Sequence, residues 1–365
     1  MGIDLYFNVI LSQRITVNTL IIMLDGAADE KIPAFDYKTP LESLDKKFMD
    51  GVASSGLFGW TEGQKYTHLF LLGFFTGKVC DVPRGLIEAH GMDIPLKENS
   101  VAYRFSPACF RNGKFEWAYR VSADRYLELQ ECMIDSIGLL NDLAPNLYFH
   151  GSDGRGVVTI EDGYYNFPMP PYPLPENPDY EPFRECIEAV AKELDGLTFL
   201  PWGGGSINNS AHKSAFAKSK NLTILSSSPS ALGVGRLLGI SCKRVDDFRV
   251  GMDESLEMLQ HNDVFLHVDE TDDVSHRTEP GDKRNMLAEI DEFFCNNLDF
   301  LEGHRVALII DHGTSSLNGQ HMPMPVPFAV SNISGSMKSG INFCENASVH
   351  YPIENLFCSI MQHTD

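Results

Sequence analysis

Three short apolar segments of this chain each end in acidic residues or histidines. They are VNTLIIMLDG (17–26), DVFLHVDETDDVSH (263–276) and RVALIIDHG (305–313). Uninterrupted runs of Val, Ile and Leu of this length are typical of strands buried on both faces, as in a parallel sheet covered by helices. LTILSSS (222–228) is a fourth run of this kind, without the terminal acid. The pattern predicts a parallel sheet whose strand ends carry polar side chains.

Helical patterns lie between these runs. TPLESLDKKFMDGVASSG (39–56) begins with Thr, Pro and a Glu in the positions of an N-terminal cap and ends at Gly. SPSALGVGRLLG (228–239) and DKRNMLAEIDEFFCNNLDFLEG (282–303) carry apolar residues at helical spacing. Alternation of strands and helices predicts an α/β fold with a mostly parallel sheet flanked by helices.

The middle of the chain interrupts this alternation. Residues 101–194 contain β-like segments, a long helix at about 123–141 and the Pro-rich loop NFPMPPYPLPENPDYEP (166–182). We interpret them as a smaller inserted α+β cap domain. Residues 1–100 and 195–365 then form the metal-binding α/β core.

Composition narrows the class of protein. A chain of 365 residues with 43% apolar residues can build a sizeable core, and it contains no stretch long and apolar enough for a membrane helix. The first residues lack the pattern of a signal peptide, so we expect a cytoplasmic protein with reduced cysteines. The net charge of −21 argues against nucleic acid as a partner. The sequence leaves homo-oligomerisation open.

The strand ends suggest a metal centre, because ligands of open α/β sheets gather beyond the carboxyl ends of the strands. Taken alone, a strand-end Asp is more often a helix cap or turn residue, and a lone His is usually a satisfied polar side chain. Their convergence at one edge favours two bound divalent cations. Carboxylate with imidazole suits Zn²⁺ or Mn²⁺ better than Ca²⁺, and Mg²⁺ is a further candidate. The six candidate ligands are Asp25, Asp272, His276, Asp311, His312 and His321.

These residues belong to a longer series of motifs that resembles the archaeal-type cofactor-independent phosphoglycerate mutases of the alkaline phosphatase superfamily. The order and spacing of the motifs, from about residue 20 to residue 328, carry the resemblance. They are MLDGAAD (23–29), KTPLESL (38–44), LFLLGF (69–74), RGLIEAHG (84–91), VAYR (101–104), GRGVVTIEDG (154–163), PWGGG (201–205), SALGVGRLLG (230–239), DDVSH (272–276) and DHGT with PVPF (311–328).

The resemblance implies how the six ligands divide. One metal of the family is held by an Asp and two His, which match Asp272, His276 and His321. The other is held by Asp25, Asp311, His312 and a serine that carries the phosphoryl group during the mutase reaction of glycolysis. GQKYTHLFLLGF (63–74) departs from the family here: Gln64 stands at the serine position and Lys65 at that of its neighbouring Asp.

A glutamine amide cannot hold a phosphoryl group covalently, so the departure predicts weak mutase activity. The carbonyl oxygen of Gln64 remains a candidate metal ligand, and Lys65 a source of positive charge. Thr61 and Thr67 are the nearby hydroxyls. Thr67 follows the serine position by three residues, and we expect it about one helical turn away from the reacting centre.

Four basic residues are candidate clamps for the phosphate and carboxylate groups of a small acid. They are Arg84, Arg104, Arg155 and Lys283. The resemblance implies phosphoryl transfer on 2- or 3-phosphoglycerate. The alternatives are a phosphatase that uses water as acceptor, a homoserine-kinase-like phosphotransferase, and a protein that binds metal and ligand without turnover.

Overall fold

The fold is described from a computed structural model of the chain. It describes residues 17–80, 82–111, 114–118, 121–151, 154–161, 163, 181–206, 221–277, 279–335 and 337–363. Most of the Pro-rich loop, 166–182, lies outside the described residues, as do residues 1–16. No helix of the described part is long and apolar enough to cross a membrane.

The described residues form fourteen strands, which make up two larger sheets and a short hairpin. In chain order they are β1 (Thr19–Leu24), β2 (Leu57–Glu62), β3 (Ser100–Arg111), β4 (Lys114–Trp117), β5 (Asn146–Phe149), β6 (Gly156–Glu161), β7 (Leu197–Ser206), β8 (Leu222–Ser226), β9 (Ser241–Arg244), β10 (Asp263–Val268), β11 (Arg305–Ile310), β12 (Gly313–Thr314), β13 (His321–Met322) and β14 (Pro325–Asn332).

The main sheet has seven strands in the order β2-β14-β11-β1-β10-β8-β9. The neighbours from β11 to β9 run parallel, and β14 is antiparallel to both β11 and β2. The four apolar runs of the sequence form β1, β8, β10 and β11, whose side chains are buried almost without exception. The predicted α/β class with a mostly parallel sheet is confirmed.

Helices flank this sheet and bury their apolar faces on it. The α-helices of the described part are Lys47–Ser55, Thr67–Thr76, Arg84–Gly91, Ala123–Ser136, Arg184–Glu193, Pro229–Leu238, Phe248–Leu259, Glu270–His276, Pro280–Asn296, Leu298–Leu301 and Ile353–Met361. Short 3₁₀ helices span Pro33–Phe35, Ile137–Leu143 and Glu181–Phe183.

The helix predicted over residues 39–56 is shorter than expected. The predicted cap does form, since Thr39 and Glu42 exchange backbone-to-side-chain hydrogen bonds of 3.0 and 3.1 Å. It closes a single turn, and the helix begins only at Lys47. Lys46, the extended residue before the helix, has a fully buried side chain that contacts Asp50 at 3.0 Å and Asn342.

The second sheet is antiparallel and contains β3, β4, β5, β6 and β7. It has a separate apolar core, shared with the helices Ala123–Ser136 and Arg184–Glu193. The domain boundary expected from the sequence, at residue 195, does not follow this strand pairing. Strand β7 starts beyond that residue, yet it pairs with β3 along most of its length. We therefore propose that the cap extends from about residue 100 to residue 206.

Candidate metal centre

Three carboxylates begin the site at the ends of adjacent parallel strands. Leu24 of β1 is in register with Val268 of β10 and with Ile310 of β11. The next residue along each strand is therefore an aspartate at the same level: Asp25, Asp269 and Asp311. The carboxyl ends of parallel strands share one edge of a sheet, so the register itself gathers these acids.

The first group of ligand atoms is fully buried. Nε2 of His312 lies 3.3 Å from Oδ1 of Asp25 and 3.3 Å from Oδ2 of Asp311. Oδ2 of Asp311 and Nε2 of His312 have no hydrogen-bond partner among the described residues. Buried polar atoms are normally paired, so two unpaired atoms on consecutive residues at the end of β11 fit ligands that face a cation.

The second group lies on a helix and a hairpin. Asp272 and His276 are one turn apart on the helix Glu270–His276, with His276 Nε2 3.1 Å from Asp272 Oδ2. The β12–β13 hairpin pairs His321 with Thr314, which places His321 Nε2 3.5 Å from Asp272 Oδ2 and 3.2 Å from His276 Nε2.

Backbone carbonyls orient the two histidines of this second group. Nδ1 of His276 lies 2.7 Å from the carbonyl oxygen of Gly319, and Nδ1 of His321 lies 3.0 Å from that of Lys65. A protonated Nδ1 that donates to a carbonyl fixes the tautomer and presents a free Nε2, as in metal-ligating histidines. Both rings are therefore set to offer Nε2 to the same point.

The two groups meet at His312. Its ring stacks on that of His321, with centroids 4.2 Å apart. One ligand atom each from Asp25, Asp311 and His312 lies within 4.8 Å of the others, and the same holds for Asp272, His312 and His321. All six candidate ligands of the sequence are thus brought together at one edge of the main sheet.

The electrostatics of the cluster favour cations. Burial, together with the charges of Asp311 and Asp272, raises the pKa of Asp25 well above its usual value. Burial likewise raises the pKa of Asp311 to about 6. It lowers the pKa of His312 well below its usual value, so this imidazole is neutral and has a lone pair to donate. Bound divalent cations would offset the repulsion among the carboxylates.

A third group of potential ligands was missed in the sequence. Asp25, His267 and Asp269 also bring ligand atoms within 4.8 Å of one another. His267 Nε2 lies 3.0 Å from Asp25 Oδ2, and its Nδ1 contacts the Ser226 hydroxyl at 2.9 Å. His267 stands inside the apolar run of β10, and its signal was an imidazole at an otherwise apolar strand position.

A cavity of about 310 Å³ opens beside the cluster. Asp25, Asp272, His276 and His321 are among the residues that line it. Three of the predicted clamps, Arg84, Arg104 and Arg155, also line it, together with Arg244, which the sequence did not single out. Guanidinium groups bind phosphate and carboxylate in bidentate geometry.

Glu88 holds two of these arginines in place. Its Oε1 accepts hydrogen bonds from Nε of Arg84, at 2.6 Å, and from Nη1 of Arg104. The side chain is fully buried. Although burial alone would raise the pKa of Glu88, Arg104 and Arg84 hold it well below its usual value. The Arg104 guanidinium also lies over the Trp202 ring, 5.5 Å from its centroid.

Lys283 differs from the prediction of a substrate clamp. Its ammonium group is fully buried and donates to the carbonyl oxygens of Ala28 and Thr314, at 3.0 and 2.8 Å, and to Oδ2 of Asp29, at 3.1 Å. These three acceptors use all three donors of the ammonium group. The residue ties the segment after β1 to β12 and is not among those lining the cavity.

The segment that the resemblance assigns to the family's serine position also differs from expectation. Nε2 of Gln64 donates to the carbonyl oxygen of Glu62 at 3.4 Å, and the side chain of Lys65 is exposed, with Nζ over the Tyr66 ring. Neither residue lines the cavity. Thr67, expected to lie a turn away, instead donates its hydroxyl to Oδ2 of Asp25 at 3.0 Å.

Comparisons with known proteins agree with this site. Residues 239–360 match the model of the Metalloenzyme superfamily. The chain is 25% identical to the 2,3-bisphosphoglycerate-independent phosphoglycerate mutase of Thermococcus kodakarensis, over 85% of this chain and 87% of that protein. It is 22% identical to the corresponding enzyme 2 of Methanocaldococcus jannaschii, over 96% and 94%.

Two solved structures share the fold. The PH0037 protein from Pyrococcus horikoshii has a TM-score of 0.69 at 20% identity, covering 94% of this chain and 96% of its own. The cofactor-independent phosphoglycerate mutase from Thermoplasma acidophilum has a TM-score of 0.53 at 17% identity, covering 94% and 99%. The suspected resemblance is confirmed: along most of its length this chain is similar to archaeal 2,3-bisphosphoglycerate-independent phosphoglycerate mutases, and residues 239–360 match the Metalloenzyme superfamily.

Proposed function

We propose that this chain uses two divalent cations to transfer the phosphoryl group of a small phosphorylated carboxylic acid, of the 2- or 3-phosphoglycerate class. The observation that carries the proposal is the pairing of two opposite chemistries in one cavity. Asp25, Asp272, His276 and His321 line this cavity, and so do Arg84, Arg104 and Arg155. The name of the related mutases gives the substrate class.

The residues fit divalent cations by their donor chemistry. Asp272, His276 and His321 would hold one cation, and Asp25, Asp311 and His312 the other. The orphaned Oδ2 of Asp311 and Nε2 of His312 support the second assignment. Mixed nitrogen and oxygen donors favour Zn²⁺ or Mn²⁺ over Mg²⁺. When bound, the two cations would polarise the phosphoryl oxygens and stabilise the attacking and leaving oxygens.

The arginines would bind and orient the substrate. Arg84 and Arg104 have part of their donors committed to Glu88, which fixes the direction of each planar guanidinium before substrate arrives. Preorganised donors of this kind lower the cost of ordering the site on binding. The remaining N–H groups of Arg84 and Arg104, with Arg155, would take the carboxylate and the phosphate of the acid. Because the chain has a net charge of −21, it repels an anionic substrate unless positive groups such as these arginines surround the binding site.

Hydrolysis of a phosphate monoester is the second candidate reaction of this site. Gln64 supports it, because no hydroxyl stands at the position where the related mutases carry their serine. If the phosphoryl group is transferred to water and not to the second hydroxyl of the substrate, the enzyme acts as a phosphatase. A homoserine-kinase-like transfer and ligand binding without turnover are the further alternatives, and both predict no activity in the assay that follows.

The test is an assay of the purified chain loaded with Mn²⁺ or Zn²⁺. Interconversion of 2- and 3-phosphoglycerate, phosphate release from both acids, and phosphate release from p-nitrophenyl phosphate are measured side by side. Asp311→Asn should abolish the activity found, whereas the surface change Asp36→Asn should leave it unchanged. A metal-loaded wild type without phosphoryl transfer in any of the three assays would refute the proposed function.

A further inference from the structure

We infer that the hydroxyl of Thr67 is the phosphoryl acceptor of this site, so that the chain passes through a phosphothreonine. The inference rests on the proposed function, phosphoryl transfer, and adds the residue that carries the group. Oγ1 of Thr67 lies 3.0 Å from Oδ2 and 3.2 Å from Oδ1 of Asp25. A hydroxyl that contacts this carboxylate and lines the cavity is positioned to attack a phosphoryl group bound there.

Thr67 also faces the space where a substrate would bind. It is 7% exposed and lines the cavity together with Asp25, Arg84 and Arg155. The neighbouring His68 contacts Nη1 of Arg84 through Nδ1, at 2.9 Å. The residue after Thr67 therefore holds the guanidinium group of Arg84. This contact fixes the position of that group relative to the Thr67 hydroxyl.

Other hydroxyls near the cluster lack one of these two properties. Thr314 donates to Asp272, but its side chain is fully buried and does not line the cavity. The hydroxyl of Thr271 donates to backbone carbonyl oxygens, those of Asp25 and Val268. Ser230 lines the cavity, but its hydroxyl contacts Glu88 at 3.3 Å, on the arginine side.

The helix that starts at Thr67 adds a favourable field. Thr67 is the first residue of the ten-residue helix Thr67–Thr76, whose N-terminus therefore lies at the acceptor hydroxyl. The partial positive charge of a helix N-terminus stabilises a phosphoryl group bound there. The cavity, the contact with Asp25 and the arginines carry the inference, and the helix reinforces it.

The step is a simple exchange of phosphate esters. The Oγ–P bond to Thr67 forms as the ester O–P bond of the substrate breaks, and the proton of the threonine hydroxyl ends on the leaving alkoxide oxygen. The products are the free hydroxyl of the acid and phosphothreonine. In the second half, the phosphoryl group passes to water or to a hydroxyl of the bound acid, and Thr67 recovers a proton.

The test is mass spectrometry of the protein quenched in acid during turnover of 3-phosphoglycerate or p-nitrophenyl phosphate. Trypsin cleavage after Lys65 and Lys78 releases a peptide with two threonines, Thr67 and Thr76. Fragment ions should place one phosphoryl group on Thr67. Thr67→Val should lose the adduct and at least about 10²-fold of the activity, whereas Thr67→Ser should keep both.

Thr76→Val is the matched control, because Thr76 lies at the far end of the same helix and donates to the carbonyl oxygen of Leu72. It should retain the adduct on Thr67. A wild type that turns over with its adduct on another residue, or a folded Thr67→Val that keeps wild-type turnover, overturns the inference and leaves the proposed function standing. A wild type with neither turnover nor adduct overturns both.

Discussion

The backbone N–H of Gly26 donates a hydrogen bond to Oδ1 of Asp311, at 3.0 Å. The contact ties the end of β1 directly to the end of β11, whereas Oδ2 of Asp311 has no hydrogen-bond partner among the described residues. Gly26 has a φ of +61°, and a Cβ there would lie 2.5 Å from Oδ1 of Asp272. The close approach of the two candidate metal groups therefore depends on a residue without a side chain.

Gly26→Ala should weaken metal binding as well as stability. The positive φ costs an alanine about 1–2 kcal/mol, and the new methyl group would displace the Asp272 carboxylate. Gly239→Ala is the control, since Gly239 has a φ of +76° with nothing within 4 Å of the added Cβ. Calorimetric titration with Mn²⁺ should show lost affinity in the first variant and wild-type affinity in the second. Equal affinities would show that the crowding at Gly26 does not matter.

Glu88→Gln should change how stability depends on pH. The pKa of Glu88 is held below its usual 4.5 by Arg104 and Arg84, so its contribution is present above that pH and is lost as the pH falls through the lower, folded-state pKa. We expect the variant to be about 2–5 kcal/mol less stable at pH 7. Urea denaturation measures the free energy of unfolding at each pH. The difference between wild type and variant should stay constant down to about pH 5 and become smaller below it.

Glu161→Gln is the control for this experiment. Glu161 pairs with Lys97, whose side chain is 70% exposed, so the loss should stay below about 1 kcal/mol. Parallel stability curves for wild type and Glu88→Gln across the whole pH range would contradict the assigned role of Glu88.

Lys283→Met should act on the folded state and not on substrate affinity. The change leaves the buried Asp29 carboxylate and two carbonyl oxygens without their ammonium partner. Removing one member of a buried ion pair costs about 3–5 kcal/mol, so thermal unfolding should shift strongly downward. Lys47→Met, on an exposed side chain, should change stability little. A variant with wild-type thermal stability but a raised KM would show that Lys283 binds the substrate, and would contradict this prediction.

Gln64→Ser combined with Lys65→Asp should leave the interconversion of 2- and 3-phosphoglycerate close to the wild-type rate. Neither position lines the cavity, whereas Thr67 already offers a hydroxyl there, so the added serine is not placed to take up the phosphoryl group. Gln64→Ala with Lys65→Ala removes the same two side chains without adding either group and serves as control. A Ser–Asp variant that interconverts the two acids at least about tenfold faster than wild type would contradict the role assigned to Thr67.

The strand ends could be predicted from the sequence because a buried parallel strand and the acid after it leave a local pattern. Asp25 and Asp311 each follow an apolar run, and the parallel register of β1 and β11 brings them to the same level. The roles of Lys283 and Thr67 could not be predicted in this way. Whether a lysine faces a cavity or a carbonyl cage depends on contacts with Ala28 and Thr314, which are distant in the chain. Thr67 reaches Asp25 because its helix begins at that residue, and helix starts are weakly encoded.

His267 and Glu88 are two residues of the site that the sequence did not single out. Both occupy positions where the local pattern predicts packing, within a strand and on a helix, and both are fully buried. Their chemistry appears only through partners on other elements: Asp25 for His267, and Arg104 for Glu88. A buried ionisable residue in an apolar run is the signal that sequence reading can use.

The central claim is that two cations lie between the six aspartates and histidines. Anomalous diffraction at the manganese absorption edge, from crystals saturated with Mn²⁺, tests it most directly. We predict two peaks roughly 4 Å apart, one bonded to Asp272, His276 and His321 and the other to Asp25, Asp311 and His312. A single peak, or a peak held by Asp25, His267 and Asp269 with none at Asp272, would contradict the account.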